Sequence, residues 1–184
     1  MPSDKDRLYI ALYVRGGAPK MPGLEDTYHW GLLVGPKNPI SASQVWCFHA
    51  KEKMMRVGEP PTVQSVWHYE EAKTTMEPAS MILVRIVVAK VTNMNRLRAI
   101  FEQTPIRSAQ QGWNCVAWVR EALATAGQDG EALGQSVTDW TLIRDTAMQY
   151  VESKKANHRF DGKGVVDNTK VPTWDMLAGV ELLP

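Results

Sequence analysis

Residues 28–35 read Tyr28-His29-Trp30-Gly31-Leu32-Leu33-Val34-Gly35, with Pro36 directly behind them. Aromatic and branched apolar residues closed by Gly-Pro predict a strand over Tyr28 to Val34. Upstream, Leu8, Ile10, Leu12 and Val14 alternate with Tyr9, Ala11 and Tyr13, which predicts a first strand with two covered faces. A loop rich in Gly16, Gly17, Pro19, Pro22 and Gly23 separates the two. Downstream, Gln44 to His49 predicts a third strand, joined to the second through Lys37-Asn38-Pro39. Residues 51–63 are polar and carry Pro60-Pro61, so an exposed excursion is expected there. A short strand around Ser65 to Tyr69 and a long one from Met81 to Val91 complete a first half that is mainly sheet.

After Val91 the apolar period changes to that of helices. Met94, Leu97, Ile100 and Phe101 follow helical spacing, with Asn93 placed to cap and Pro105 to stop. A second helix is expected from about Asn114 to Gly127. A third should start at Thr138 or Asp139 and run into Lys154-Lys155, where cations suit the helix end. From about Asn157 the chain loses periodicity until Trp174, Met176 and Leu177. With 184 residues and 44% hydrophobic content, the fold class expected is α+β in a single domain: mainly antiparallel sheet first, packed helices second. The domain is expected over 1–156, with 157–184 as a tail docking back through Trp174 and Leu177.

The 21 basic and 20 acidic side chains leave a net charge of +1, which argues against a surface given over uniformly to nucleic acid. The charged opening Met-Pro-Ser-Asp-Lys-Asp-Arg lacks secretory-signal character, and Arg85 breaks the longest apolar run well short of a membrane span. A reduced, cytoplasmic chain with no membrane partner is the expectation, and Cys47 and Cys115 are expected to be free thiols.

Cys115 opens the second helix in Gly112-Trp113-Asn114-Cys115-Val116. Unpaired N–H groups in a helix first turn favour a thiolate, so a lowered thiol pKa is expected there. Taken alone, Cys115 with Val119, Ala122 and Ala126 is an ordinary core stripe. The histidines change that weighing. A thiol nucleophile needs a base within hydrogen-bond reach and a third group to orient it. His29 on its strand, as base, and His49 on the next, as orienting group, meet that need. The backbone of Cys115, with Asn114 or Trp113 beside it, would supply oxyanion donors. Cys47, two residues from His49, is an alternative thiol whose simpler role is packing. No close-spaced Cys/His pair marks a zinc site, and no phosphate loop or dinucleotide motif is present, so neither metal nor cofactor is expected.

The order His on a strand, His on the next strand, then Asn-Cys opening a helix resembles the circularly permuted branch of the NlpC/P60 papain-like superfamily, over about Thr27 to Leu123. That resemblance implies His29 as base, His49 as the polar orienting residue and an acyl-enzyme on Cys115. The chain lacks the hydrophobic anchor of the lecithin:retinol acyltransferase-like members. The phrases Tyr-His-Trp-Gly-Leu-Leu-Val-Gly-Pro-Lys, Met-Ile-Leu-Val-Arg-Ile, Trp-Asn-Cys-x-x-Trp-Val-Arg and Val-Thr-Asp-Trp further resemble a group of short fungal proteins taken to include the arginine-containing cyclodipeptide synthases. This second resemblance implies aminoacyl-tRNA, including arginyl-tRNA, as substrate and a thioester on Cys115 as intermediate.

An arginine side chain would need a carboxylate. Glu25, Asp26, Glu70, Glu71 and Asp139 are candidates, with Trp30 and Trp140 as walls; Asp139 is equally well placed to begin a helix. For tRNA, residues 81–120 carry six basic side chains, among them Arg85, Arg96, Arg98, Arg107 and Arg120, against Glu102 alone. Two rival readings stay open: a thiol hydrolase or acyltransferase that uses no tRNA, and a non-catalytic binding module on the same scaffold.

Overall fold

The computed structural model describes residues 4–78 and 81–184; Met1 to Ser3, the start of the charged N-terminal segment, lie outside the described residues, as do residues 79 and 80. β1 (Arg7–Val14) and β2 (Tyr28–Gly35) form an antiparallel pair in full register, from Arg7 opposite Gly35 to Val14 opposite Tyr28. β3 (Gln44–Val57), β4 (Thr62–Thr75) and β5 (Ile82–Val91) follow, then α1 (Met94–Gln103), α2 (Cys115–Asp129), β6 (Leu133–Ser136), α3 (Trp140–Ala156), β7 (Thr173–Asp175) and β8 (Val180–Leu183). The sheet order is β4-β3-β2-β1-β5-β7-β8, and β6 also pairs with β5. Every pairing is antiparallel except that of β5 with β7. The fold is a single α+β domain: a mixed, mostly antiparallel sheet with three α-helices among the described residues. None of the helices among the described residues is long and apolar enough to cross a membrane.

Period-two alternation in the strands produces the layering. Leu8, Ile10 and Leu12 of β1, Trp30 and Leu32 of β2 and Ile86 of β5 share a fully buried core with Leu97, Trp118, Val119 and Ile143 of the helices. Their neighbours Tyr9, Ala11, Leu33 and Val87 turn to the other face, where Met76 and Leu177 pack over them. The strong strand signal of β1, β2 and β5 thus comes from burial on both sides.

Four local expectations change. Residues 51–63 are not a loose excursion but the far half of a long ribbon, in which β3 and β4 pair continuously from Gln44 opposite Thr75 to Val57 opposite Thr62. Its tip is exposed on both faces, so polarity there carries no alternation to read. The second helix runs through Gly127 to Asp129 and stops at Gly130, which takes the left-handed conformation (φ 75°). Gly127 is there for close packing instead: a Cβ would come within 2.7 Å of Thr138 Cγ2. The third helix begins at Trp140, one residue after its cap Asp139. The tail supplies strands as well as contacts, since β7 pairs with Arg85 to Val87 of β5 and β8 pairs with β7. β6, only four residues long and containing Gly134, gave no periodic signal.

Candidate active site

β1 sets Tyr13 opposite His29, and the β3–β4 ribbon sets His49 opposite Glu70. All four side chains lie on the sheet face away from the helices. Gly31 opens the space between them: a Cβ there would touch His49 Cβ at 3.4 Å and Tyr13 Cε2 at 3.5 Å. The imidazoles meet edge to face, their ring centres 5.0 Å apart. His29 Nε2 lies 2.8 Å from His49 Nδ1, and His49 Nε2 lies 3.0 Å from Glu70 Oε1. Lys51 Nζ and His68 Nε2 stand 3.6 and 3.7 Å from the same carboxylate.

This chain of contacts fixes the protons. The hydrogen bond from His49 holds the Glu70 carboxyl below the usual carboxylate range, so the group is ionised and only accepts. His49 therefore donates through Nε2 and accepts at Nδ1 from the Nε2–H of His29. The Nδ1 lone pair of His29 is left as the free basic position. Burial, and next the neighbouring His49 ring, lower the pKa of His29 to about 3. Burial lowers that of His49 too, against the pull of Glu70. Both rings are uncharged at neutral pH. Since protonation of His29 favours the unfolded chain, its contribution to stability is complete above pH 6.5 and is lost as pH falls from there towards 3.

Cys115 approaches from the other side. It is the first residue of α2 and fully buried. Asn114 caps the helix through Oδ1, which accepts from the N–H of Val116 (3.0 Å) and of Ala117 (3.3 Å). Its amide donates to Met21 Sδ at 3.3 Å, tying the helix start to the β1–β2 loop. Asn114→Ala is expected to destabilise the fold by about 1 kcal/mol, read as a lower urea midpoint with unchanged slope. β2 pairs with β3 only over Leu32 to Val34, so the β2–β3 seam opens along residues 28–31, and α2 packs against both strands. The Cys115 sulfur lies against the N–H of Trp30, the residue next to His29. Among the described residues, no hydrogen bond joins it to either imidazole.

The expected lowering of this thiol's pKa is reversed. Burial pushes the Cys115 thiol up, outweighing the N–H groups of Trp30, Val116 and Cys115 itself and the charge of Arg15. A helix terminus contributes about 0.3–1 kcal/mol, less than desolvating a thiolate costs. Cys47 is half-buried on the histidine face, 3.8 Å from the Tyr13 hydroxyl, and burial raises its pKa as well.

Two cavities flank this seam. One, of about 600 Å³, is lined by Tyr13, His29, Cys47, His49 and Glu70. The other, of about 610 Å³, is lined by Lys20, Met21, Trp113 and Asn114. Arg15, Gly16, Glu52 and Trp67 belong to both, so the cavities adjoin as a cleft with His29 on one side and Trp113 and Asn114 on the other; Cys115 itself is buried behind Asn114 and lines neither.

The expected substrate residues are otherwise engaged. Glu25 is buried and paired with Arg144, Asp26 accepts from the N–H groups of Lys20 and Met21, and Asp139 caps α3 through the N–H of Leu142. Glu71 holds Arg98, and Glu70 serves His49. Trp30 is core, its indole donating to the Glu25 carbonyl; Trp140 is half-buried against it. Of the basic set, all but Arg85 are exposed, and most of those are paired with carboxylates. Arg85 is buried and donates to the Met76 carbonyl, Arg96 pairs with Asp129 and Glu131, and Arg107 pairs with Glu121; Arg120 is exposed.

Glu70 is thus not the substrate carboxylate expected from sequence but the partner of His49. A hairpin turning at residues 58–61 places it opposite His49 by register alone, which was the signal available. No curated protein and no solved structure matches the chain. A family profile covers residues 5–183, and the chain belongs to that family, DUF6914, a family of unknown function.

Proposed function

We propose that this protein is a cysteine-dependent acyl transferase of permuted papain-like layout, with Cys115 as nucleophile, His29 as base and His49–Glu70 as the orienting pair. The observation that carries the reading is the His29–His49–Glu70 chain, which leaves Nδ1 of His29 as the open base one residue from the backbone N–H that faces the Cys115 sulfur. In the reaction His29 Nδ1 takes the thiol proton as sulfur bonds to an acyl carbonyl carbon. The oxyanion draws on N–H groups at the start of α2. The imidazolium then returns its proton to the leaving oxygen, the C–O bond breaks, and a thioester remains.

The cleft favours transfer to an amine over hydrolysis. Trp67 and Trp113 meet edge to face at 5.7 Å in its walls, which limits water around a thioester. The two cavities together also offer room for a donor and an acceptor. In the aminoacyl-tRNA form of the reaction, the amine of a second aminoacyl unit attacks the thioester, forming the peptide bond and freeing the thiol. The dipeptide's own amine then closes the ring on the remaining ester and releases its carrier hydroxyl.

The test is mass spectrometry of small molecules from a host expressing the protein or its Cys115→Ala variant, with intact-protein mass measured alongside. The expected result is a cyclodipeptide made only by the wild type and a hydroxylamine-labile acyl adduct on Cys115. An adduct without a cyclodipeptide, turned over by water, makes the protein a hydrolase. Absence of both with every acyl donor tried sinks the catalytic reading.

A further inference from the structure

Arg15 follows directly on β1 at the wall shared by the two cavities, half-buried, its guanidinium 5.8 Å from the ring centre of Trp67. Its side-chain hydrogen bond among the described residues is a long contact of 3.4 Å to the Asp26 carbonyl. Among the described residues it has no carboxylate within the 4.0 Å of an ion pair, whereas Arg96, Arg98, Arg107 and Arg144 all do. The carboxylate of Asp26 feels the charge of Arg15 but forms no ion pair with it, and its oxygens are occupied by the N–H groups of Lys20 and Met21. A partly desolvated guanidinium with five donors and almost no acceptor lacks its usual complement. Its charge reaches both reacting partners, since it favours the thiolate of Cys115 and disfavours protonation of His29. Lys20 lines the same cleft and Lys51 borders the histidine side; of the carboxylates there, Asp26, Glu52 and Glu70, two are already hydrogen-bonded, Asp26 to backbone N–H groups and Glu70 to His49.

We propose that Arg15 is the anion-recognition residue of the cleft, gripping a carboxylate or phosphate of the acyl donor so that its carbonyl is held between Cys115 and His29. A guanidinium fork matches the paired oxygens of either group. In a transfer from aminoacyl-tRNA the anion is a phosphate near the 3' end; in a peptide or amide donor it is a carboxylate. The proposal deepens the acyl-transferase reading and rests on it for its meaning, but anion binding is measurable without turnover.

The experiment titrates the full chain with inorganic phosphate and, separately, with acetate at constant ionic strength, following the arginine Nε–H signals by NMR in wild type, Arg15→Gln and Arg15→Lys. Saturable binding that moves the signal absent from the Arg15→Gln spectrum, and that weakens about tenfold or more in that variant, supports the proposal. A preference for phosphate over acetate, or the reverse, identifies the donor's anion. Arg15→Lys, which keeps the charge and loses the fork, is expected to fall between. A second arm compares iodoacetate with iodoacetamide at Cys115; their rate ratio cancels the accessibility of the buried thiol. The ratio is expected to fall about tenfold in Arg15→Gln. Failure of either anion to bind saturably, or equal binding by Arg15→Gln with native thermal melting, overturns the assignment of Arg15. Anion binding at Arg15 with a thiol inert to both reagents keeps the assignment and counts against the thiol mechanism instead.

Discussion

Cys115→Ala is expected to lower acyl transfer by at least about 10³-fold, while Cys47→Ala stays within about threefold of wild type. Both thiols are held in the neutral form by burial, so neither is reactive merely through its own pKa. What separates them is surroundings. Cys115 opens a helix, where the N–H groups of Trp30 and of its own backbone work against burial in favour of the thiolate, so a thiolate formed during reaction is met by local donors. Cys47 has the Tyr13 hydroxyl at 3.8 Å and lies within a strand. The Cys115→Ala protein should fold, since Ala suits a helix first turn and only one buried atom is lost; far-UV and near-UV circular dichroism check this. Cys115→Ser adds a sharper criterion. A hydroxyl at the same site, with a neutral imidazole as base, should leave activity close to that of the alanine variant. Activity retained in Cys115→Ala and lost in Cys47→Ala would move the nucleophile to the histidine face.

The parts of this arrangement that follow from local rules were legible in the sequence. Asn93, Asn114 and Asp139 each cap the helix they precede, because a side-chain acceptor before an apolar helical stripe is satisfied by that helix's own N–H groups. β1, β2 and β5 announced themselves because both of their faces are buried. The ribbon did not, because neither face of its tip is covered and its residues are free of any periodic constraint. With the ribbon goes the identity of Glu70 as partner of His49, since that contact depends on register across a hairpin whose outer half carries no strand pattern. The direction of the Cys115 pKa was missed for a different reason. A helix terminus is a local signal, but the desolvation that outweighs it depends on Trp30 and the core packed around it. Arg15 is silent in the sequence, because a lone arginine after a strand has no meaning until the carboxylates near it are seen to be taken.

Glu70→Gln is expected to lower kcat by about 10²- to 10⁴-fold with KM little changed, which marks Glu70 as a positioning residue acting through His49. The carboxylate only accepts, and that forces Nε2–H on His49 and hence Nδ1 as its acceptor for His29. A glutamine amide can present N–H₂ to His49 Nε2 instead. His49 then carries its proton on Nδ1, facing the Nε2–H of His29 across 2.8 Å, and His29 must turn or switch tautomer. Its free lone pair is no longer at Nδ1, and the base is lost although every ring remains. Glu70→Asp keeps the acceptor and should recover part of the rate, which a purely structural role in the ribbon would not require. The pH profile gives an independent check. A histidine base of pKa 6.5 would be about nine-tenths protonated at pH 5.5 and would lose about tenfold in rate. Burial beside His49 holds His29 neutral down to about pH 3, so the wild-type kcat/KM is expected to change less than about twofold between pH 7 and 5.5. A tenfold fall over that interval would mean that the base titrates as an exposed imidazole and that the His29–His49–Glu70 chain does not persist in the working enzyme.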